Sequence, residues 1–411
     1  MQMRRLGIAV VAAVVVLACS LSSGLAAAAP DHAVLQRVMD KLVDAGAAGV
    51  QVRVRDGQEV WTGSAGVAEV GRADPVPVNG RFRAGSVTKT FVATVVLQLV
   101  DEGRLRLEDS VAAHMPRFGL DPRITVRMIL QHTSGLFDYT GELDTDGSIE
   151  LGLLPTSGPE VLEAAERPYP PDELVRFALS KPARFAPGAG WSYSNTNYIL
   201  AGLLIEKLTG LPYAVQIYSR IVVPLGLWGT VVPGPLRKIP GPHAHGYVDF
   251  AATGDPRAAD VTDLPVTWVW SAGEIISTTE DLDTFLTALL TGRLLPPPLL
   301  AEMLDGYSPE PTTHAYGLGL EKRELTSGCR GIGHSGDVPG YYGEMIATAD
   351  GSRSVVVSIT TGPTTDGFDP RAVAELHAFT TVLVTKGLCH SVASFGVARD
   401  EKRLHDHSHQ H

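Results

Sequence analysis

The chain is poor in several things. It has three cysteines in 411 residues; only 7% of its residues are aromatic and 19% are charged. So few cysteines exclude a small disulfide-built scaffold, and a hydrophobic content of 44% excludes wholesale disorder. Positive charge is the scarcer sign, with 34 Lys and Arg against 45 Asp and Glu, a net of −11. That deficit argues against nucleic acid or an anionic membrane surface as the main partner. There is no internal repeat, no coiled-coil composition, and no Gly-x-Ser-x-Gly nucleophile elbow of the α/β-hydrolase type. What is abundant is glycine (43) and proline (28), which implies many turns, and a length that allows two or three domains or one composite unit.

The first thirty residues read as an address. Met1-Gln2-Met3-Arg4-Arg5 is a basic start, and the 13-residue apolar run Leu6–Ala18 is too short to span a bilayer. Ala26-Ala27-Ala28-Ala29-Pro30 supplies small residues for cleavage after Ala28 or Ala29, so residues 1–28 are expected to be a secretory signal peptide. Cys19 fits a lipoprotein signal poorly because Leu17 breaks the pattern. The mature chain would be extracellular, without a stable membrane anchor and monomeric. It would carry 32 basic against 45 acidic side chains, a net of −13. Its two remaining cysteines, Cys329 and Cys389, would meet an oxidising environment; a bridge between them is the favoured reading, two buried thiols the alternative.

Gly49–Arg55 alternates apolar and polar residues, Asp56-Gly57 signals a type I′ turn, and a second alternating run continues through Trp61: a β-hairpin. Residues 87–102 are apolar on most sides, which predicts a central buried helix closed by Gly103. Residues 124–210 read as short helices and loops, with a helix over Tyr198–Leu208. Strands are expected at Tyr316–Leu320, Gly343–Thr348 and Ser354–Thr360, with a turn at Asp350-Gly351, then a helix over Ala372–Lys386. This order suggests an α/β domain built from both chain ends, 30–85 and 265–390, with a mainly helical domain, 86–264, inserted. Residues 141–166 hold seven acids and no base, either as a solvated loop or as one overhanging a substrate. The His-rich tail 391–411 reads as disordered, with weak capture of transition metals the lesser reading.

Gly85-Ser86-Val87-Thr88-Lys89 carries the chemistry. Ser86 would lie at the start of the buried helix, where free N–H groups stabilise developing negative charge. Lys89 is one turn on, within reach of the Ser86 hydroxyl. A serine needs a neighbour to take its proton, and a lysine serves only when desolvation or a nearby cation lowers its pKa. Ser-x-x-Lys alone is weak evidence. Two further segments strengthen it: Tyr193-Ser194-Asn195, whose phenol can share the proton relay and whose amide can hold a carbonyl, and Gly333-His334-Ser335-Gly336, a polar strand edge just before the late strands.

With these three motifs in this order, the chain resembles the serine penicillin-recognising hydrolases of the class C β-lactamase and secreted DD-carboxypeptidase group. The resemblance runs from about residue 45 to residue 390 and includes Arg81-Phe82-Arg83-Ala84-Gly85-Ser86 and Ser271-Ala272-Gly273. It implies a β-lactamase/transpeptidase-like α/β fold, an antiparallel sheet flanked by helices with an inserted all-helical domain. It also implies Ser86 as the acylated nucleophile and Lys89 with Tyr193 as the base system, the holder of the proton being open. Asn195 would contact the substrate amide, and His334 would orient Tyr193 or the leaving group. Ser86 and Asp337 N–H groups would form the oxyanion hole, and Trp268 would line the pocket. No cofactor and no metal is implied. Substrates would be peptides or peptidoglycan-like fragments, with β-lactams as candidates.

The sequence departs from that pattern where the carboxypeptidases hold a C-terminal carboxylate. Gly317-Leu318-Gly319-Leu320 is followed by Glu321 instead of arginine, and His334-Ser335-Gly336 by Asp337 instead of a hydroxyl residue. Ser335 keeps a hydroxyl; Lys322 or Arg323 would have to swing in to restore a cation. The leading reading is a secreted D-alanyl-D-alanine carboxypeptidase-like hydrolase. The runner-up is a D-aminopeptidase, amidase, esterase or β-lactamase on the same scaffold. A non-catalytic penicillin-binding sensor is the remaining alternative.

Overall fold

The computed structural model describes residues 31–143, 149–155, 160–249, 258–308, 314–362 and 370–389. The expected signal peptide with Cys19, the His-rich tail and part of the acidic segment 141–166 therefore lie outside the described residues.

Alternating side chains build the frame. Strands β1 (Ala47–Asp56) and β2 (Glu59–Gly66) form the N-terminal hairpin. Its two-residue loop is Gly57-Gln58, since Asp56 pairs with Glu59, and only Gly57 has positive φ, +59°. That is the glycine-first, type II′ pattern, not the expected type I′, which needs positive φ at both central residues. Five late strands complete the sheet: β3 (His314–Tyr316), β4 (Glu321–Thr326), β5 (Cys329–Val338), β6 (Tyr341–Ala347) and β7 (Arg353–Thr361). The order is β2-β1-β7-β6-β5-β4-β3, antiparallel throughout. The first strand thus pairs with the last, Arg53 facing Val356.

Two expectations need correction here. The strand expected over Tyr316–Leu320 ends at Tyr316, because Gly317–Leu320 turns the chain back, with Gly319 at φ +79° and the Gly317 N–H bonded to the Leu320 carbonyl. The His334 segment does not precede the late strands; it lies inside β5, whose glycines and charged residues hid its strand character.

Val50, Val52 and Val54 of β1, with Val355, Val357 and Ile359 of β7, face two helices from opposite chain ends. These are α1 (His32–Asp44) and α6 (Pro370–Leu388). Helix α1 is capped by the Asp31 carboxylate and buries Leu35, Val38, Met39 and Leu42, one apolar stripe. The opposite face of β1 carries Arg53 and Arg55. Both pair with the buried Asp283 carboxylate, at 3.1 and 3.0 Å, on a helix covering that face, α5 (Thr279–Leu290). Cys329 and Cys389 are disulfide-bonded, with Cα atoms 5.9 Å apart, tying β5 to the end of α6.

Between these ends the chain is mainly helical. Helix α2 (Thr88–Asp101) is buried on nearly every side, and Gly103 follows it at φ +69°. Of the helices α3 (Val126–Gln131) and α4 (Asn195–Thr209), α4 packs beside it and α3 packs against α4. The second begins three residues earlier than its apolar run suggested, so Asn195 is its first residue. One hydrophobic cluster runs from Val87 and Phe91 through Leu200 and Phe285 to Met345 and Val356. The helices and this face of the sheet share one core, and Ser86 stands on the seam.

Candidate active site

Ser86 lies in a short 3₁₀ turn, Gly85–Val87, that leads directly into α2. The turn is pressed against the edge of β5. A Cβ on Gly336 would come within 2.3 Å of the Ser86 nitrogen, and one on Gly85, at φ +54°, within 2.6 Å of the Asp337 nitrogen. Glycine at both positions lets two backbones touch. The amide groups of Ser86 and Asp337 are brought into one place, although they are some 250 residues apart in sequence.

Lys89 is fully buried one turn later. When protonated, its amine donates three hydrogen bonds of 2.8 Å each, to Ser86 Oγ, Asn195 Oδ1 and the Ala272 carbonyl; when neutral it keeps two and can accept from Ser86 Oγ. Burial pulls its pKa down to about 7, against the opposing pull of Asp138 and Glu321. Near neutral pH a large share of the amine is therefore unprotonated and able to take a proton. Tyr193 lies alongside, its ring centroid 4.9 Å from Lys89 Nζ. Burial raises the Tyr193 pKa well above 10, and its hydrogen bond with Ser86 works the other way. In the resting site the phenol keeps its proton, and the unprotonated share of Lys89 is the available base.

Asp138, which belongs to none of the three motifs, orients Asn195. Its Oδ2 accepts from both the backbone N–H and the side-chain amide of Asn195, each at 3.0 Å. Its Oδ1 accepts from the N–H and hydroxyl of Thr140 at 3.0 and 2.9 Å. Burial raises its pKa above the usual carboxylate range, opposed by the Thr140 and Asn195 backbone N–H groups, the Thr140 hydroxyl and the charge of Lys89. Ala272 was visible only as part of a resembling segment. The non-glycine Trp270, at φ +36°, starts the turn that presents it.

His334 is buried on β5. Its Nδ1 lies 2.5 Å from the Ser335 carbonyl, which fixes the proton there. Its Nε2 accepts from the Tyr316 hydroxyl at 2.8 Å. Burial, then Lys89, lowers its pKa to about 3, so it is a neutral imidazole. Both ring nitrogens are thus engaged by Tyr316 and Ser335, and the expected orientation of Tyr193 by His334 does not take the form of a direct hydrogen bond among the described residues.

Glu321 begins β4 on the same side, 4.0 Å from His334 Nδ1 and 3.8 Å from Arg323 Nε. Burial raises its pKa to about 7, with Arg323 opposing. Arg323 is committed to Glu344 as well, and Glu344 also accepts from the Tyr342 hydroxyl. Lys322 alternates to the opposite face, beside Glu302 and Asp305. Of the two cations the sequence offered, Arg323 does lie against Glu321 but is shared with Glu344, and Lys322 stays away from the site. Asp337 turns its side chain outward, 64% exposed, with His377 of α6 at 3.9 Å. Trp268 lies farther along, on the wall of a largely apolar cavity of about 310 Å³ that also touches Thr140, Asp337, Tyr342, Leu376 and His377.

The sequence matches the family described as Beta-lactamase over residues 35–378. Penicillin-binding protein 4* of Bacillus subtilis is 29% identical over 75% of this chain and 67% of its own. The chain spans 45% to 67% of the lengths of the first curated relatives it matches. Among solved structures, a D-stereospecific amidohydrolase from Streptomyces is 38% identical, with a TM-score of 0.73 over 84% of this chain and 98% of that one. A D-amino acid amidase from Ochrobactrum anthropi, complexed with L-phenylalanine amide, is 28% identical, also with a TM-score of 0.73, over 86% and 97%. A serine-bearing turn, a desolvated lysine and an antiparallel sheet edge at one seam agree with these likenesses: the chain belongs to the β-lactamase family and is a serine hydrolase of that fold.

Proposed function

We propose that this protein is a secreted hydrolase that forms an acyl-enzyme on Ser86. We further propose that it prefers amides, esters or N-terminal D-amino-acid peptides to peptides ending in a free carboxylate. The observation that carries this is the charge at the sheet edge. Glu321 and Asp337 flank the site, and Arg323 is taken up by Glu344 and Glu321. Above about pH 7 a carboxylate brought here would meet the charged Glu321 in a partly desolvated place, at a cost of several kcal/mol at close range, roughly. The likeness to a D-stereospecific amidohydrolase and a D-amino acid amidase supports the same substrates.

In this reading Ser86 Oγ attacks the carbonyl carbon while its proton passes to Lys89 Nζ, 2.8 Å away. The oxyanion lies between the Ser86 and Asp337 N–H groups. Tyr193 hands a proton to the leaving amine and recovers one from Lys89, which leaves the acyl group on Ser86. Water then adds to the ester carbonyl, gives its proton to the same relay, and Ser86 leaves with it. Asn195, held by Asp138, receives the substrate amide, and the apolar cavity beside Trp268 takes an apolar substituent.

The test compares D-phenylalanine amide with an N-acylated D-alanyl-D-alanine peptide, on wild type and Ser86→Ala. We expect kcat/KM for the amide to exceed that for the peptide by more than about tenfold, a difference of about 1.4 kcal/mol, and Ser86→Ala to be inert. Equal or better turnover of the peptide favours the DD-carboxypeptidase reading instead.

A further inference from the structure

We propose that His132 is a positioning residue for Tyr193, gripping the chain on both sides of it. His132 follows α3 as its C-terminal cap and is fully buried, at φ +63°. For a residue other than glycine this left-handed backbone is uncommon and costs energy, so surrounding contacts must hold it. It lets one residue face the Tyr193 segment with both its carbonyl and its side chain. The carbonyl accepts the Ser192 N–H at 3.1 Å, and Nδ1 accepts the Ser194 N–H at 3.1 Å. The imidazole also backs the Tyr193 ring, with centroids 4.3 Å apart.

The histidine is itself fixed. Asn197 Nδ2 lies 3.2 Å from the same Nδ1, and the Asn197 carbonyl oxygen accepts from the Ser134 hydroxyl at 2.6 Å. Because Nδ1 accepts a backbone N–H, the ring proton belongs on Nε2. That atom is buried without a hydrogen-bond partner among the described residues. It is surrounded by phenol rings, with Tyr316 at 4.7 Å and Tyr198 at 5.4 Å between centroids. A buried N–H left unpaired is costly, and its retention needs a reason. Gripping Tyr193 supplies one. Burial and the neighbouring Lys89 also hold the ring neutral, well below the usual histidine range.

This inference rests on the proton-relay role proposed for Tyr193. The test measures kcat and KM for hydrolysis of D-phenylalanine 4-nitroanilide by three variants. His132→Gly keeps the backbone conformation but removes acceptor and ring. His132→Asn restores an acceptor near Nδ1 and tolerates positive φ. Tyr193→Phe is the control. We expect His132→Gly to lose kcat by about tenfold or more, with KM within about threefold, because misplacing a proton donor slows chemistry more than binding. His132→Asn should recover to within about threefold of wild type. A purely structural histidine would lower stability and leave kcat of the folded enzyme unchanged. The inference is overturned if His132→Gly keeps wild-type kcat, or if His132→Asn is as slow as His132→Gly. Should the glycine variant not fold, His132→Ala replaces it and is read by the same two criteria. An unimpaired Tyr193→Phe would remove the relay role itself, a different failure from an impaired Tyr193→Phe beside an intact His132→Gly.

Discussion

Asp138 holds Asn195 with a single carboxylate oxygen, Oδ2, which accepts the asparagine's backbone N–H and its side-chain amide, both at 3.0 Å. The other end of that amide accepts from Lys89 at 2.8 Å. One carboxylate therefore orients the group expected to hold substrate and bears on the charge of the base. Asp138→Ala should cost kcat about 10- to 100-fold, the worth of about 1.5–3 kcal/mol for hydrogen bonds to a charged group. It should also move the acidic limb of the pH–rate profile to lower pH, because Asp138 favours the charged form of Lys89. Stopped-flow acylation across pH checks both.

In the proposed mechanism Lys89 takes the Ser86 proton only when neutral. Its pKa of about 7 predicts that kcat/KM rises as pH increases through about 7. His334, with its pKa near 3, stays neutral across that range and does not produce the limb. His334→Gln should leave the limb in place, and Lys89→Ala should lose about 10²- to 10⁴-fold in acylation. A limb that moves with His334 instead would show that the base is misassigned.

Glu321 gives a pH test of selectivity. Its pKa is raised to about 7, so it is neutral below that pH and charged above it. The ratio of kcat/KM for a carboxylate-ended peptide to that for the matching amide should rise as pH falls through 7. Taking a ratio cancels the titration of Lys89. Glu321→Gln should flatten the ratio, and Glu321→Arg combined with Asp337→Thr should raise carboxypeptidase turnover.

Glu274 gives a test of stability. It is buried against the Tyr213 hydroxyl, and burial raises its pKa from 4.5 to about 7. The folded state then holds this proton between pH 4.5 and 7 while the unfolded state has lost it. Its contribution is full below pH 4.5 and declines as pH rises to about 7, by up to about 3 kcal/mol. Urea unfolding at pH 5 and pH 8 should show a smaller difference in Glu274→Gln than in wild type. Glu321 contributes in the same direction.

The Cys329–Cys389 bond closes a loop with a sequence separation of 60. Chain entropy then predicts a loss of about 4 kcal/mol on its removal. Cys329→Ser with Cys389→Ser should lower the urea midpoint accordingly, and reductant should do the same to wild type and nothing further to the double variant.

What was legible in the sequence follows the range of each signal. Helix α2 is read from its unbroken apolar run and Gly103, and the N-terminal hairpin from period-two alternation; both signals are local. Ser86, Lys89, Tyr193, Asn195 and His334 are visible because the three motifs occur in order, and the structure does gather these five side chains. The strand β5 is obscured because Gly331, Gly333 and Gly336 are required for close approach, not for strand propensity. Asp138, His132 and Tyr316 stayed hidden for another reason. An aspartate 57 residues before its partner, or a histidine accepting one backbone N–H, leaves no spacing to read.

The pairing of the first strand with the last has a consequence in time. Arg53 meets Val356, and the Ser86 turn meets Asp337, only after most of the chain exists. Contacts so distant in sequence form slowly and late. In the proposed mechanism, a growing chain that has already made Ser86, Lys89 and Tyr193 holds the nucleophile and the base but no sheet edge to receive the oxyanion. On that reading such an unfinished molecule is a poor acylating catalyst whatever amides surround it, and hydrolysis begins only when the final strands close the seam.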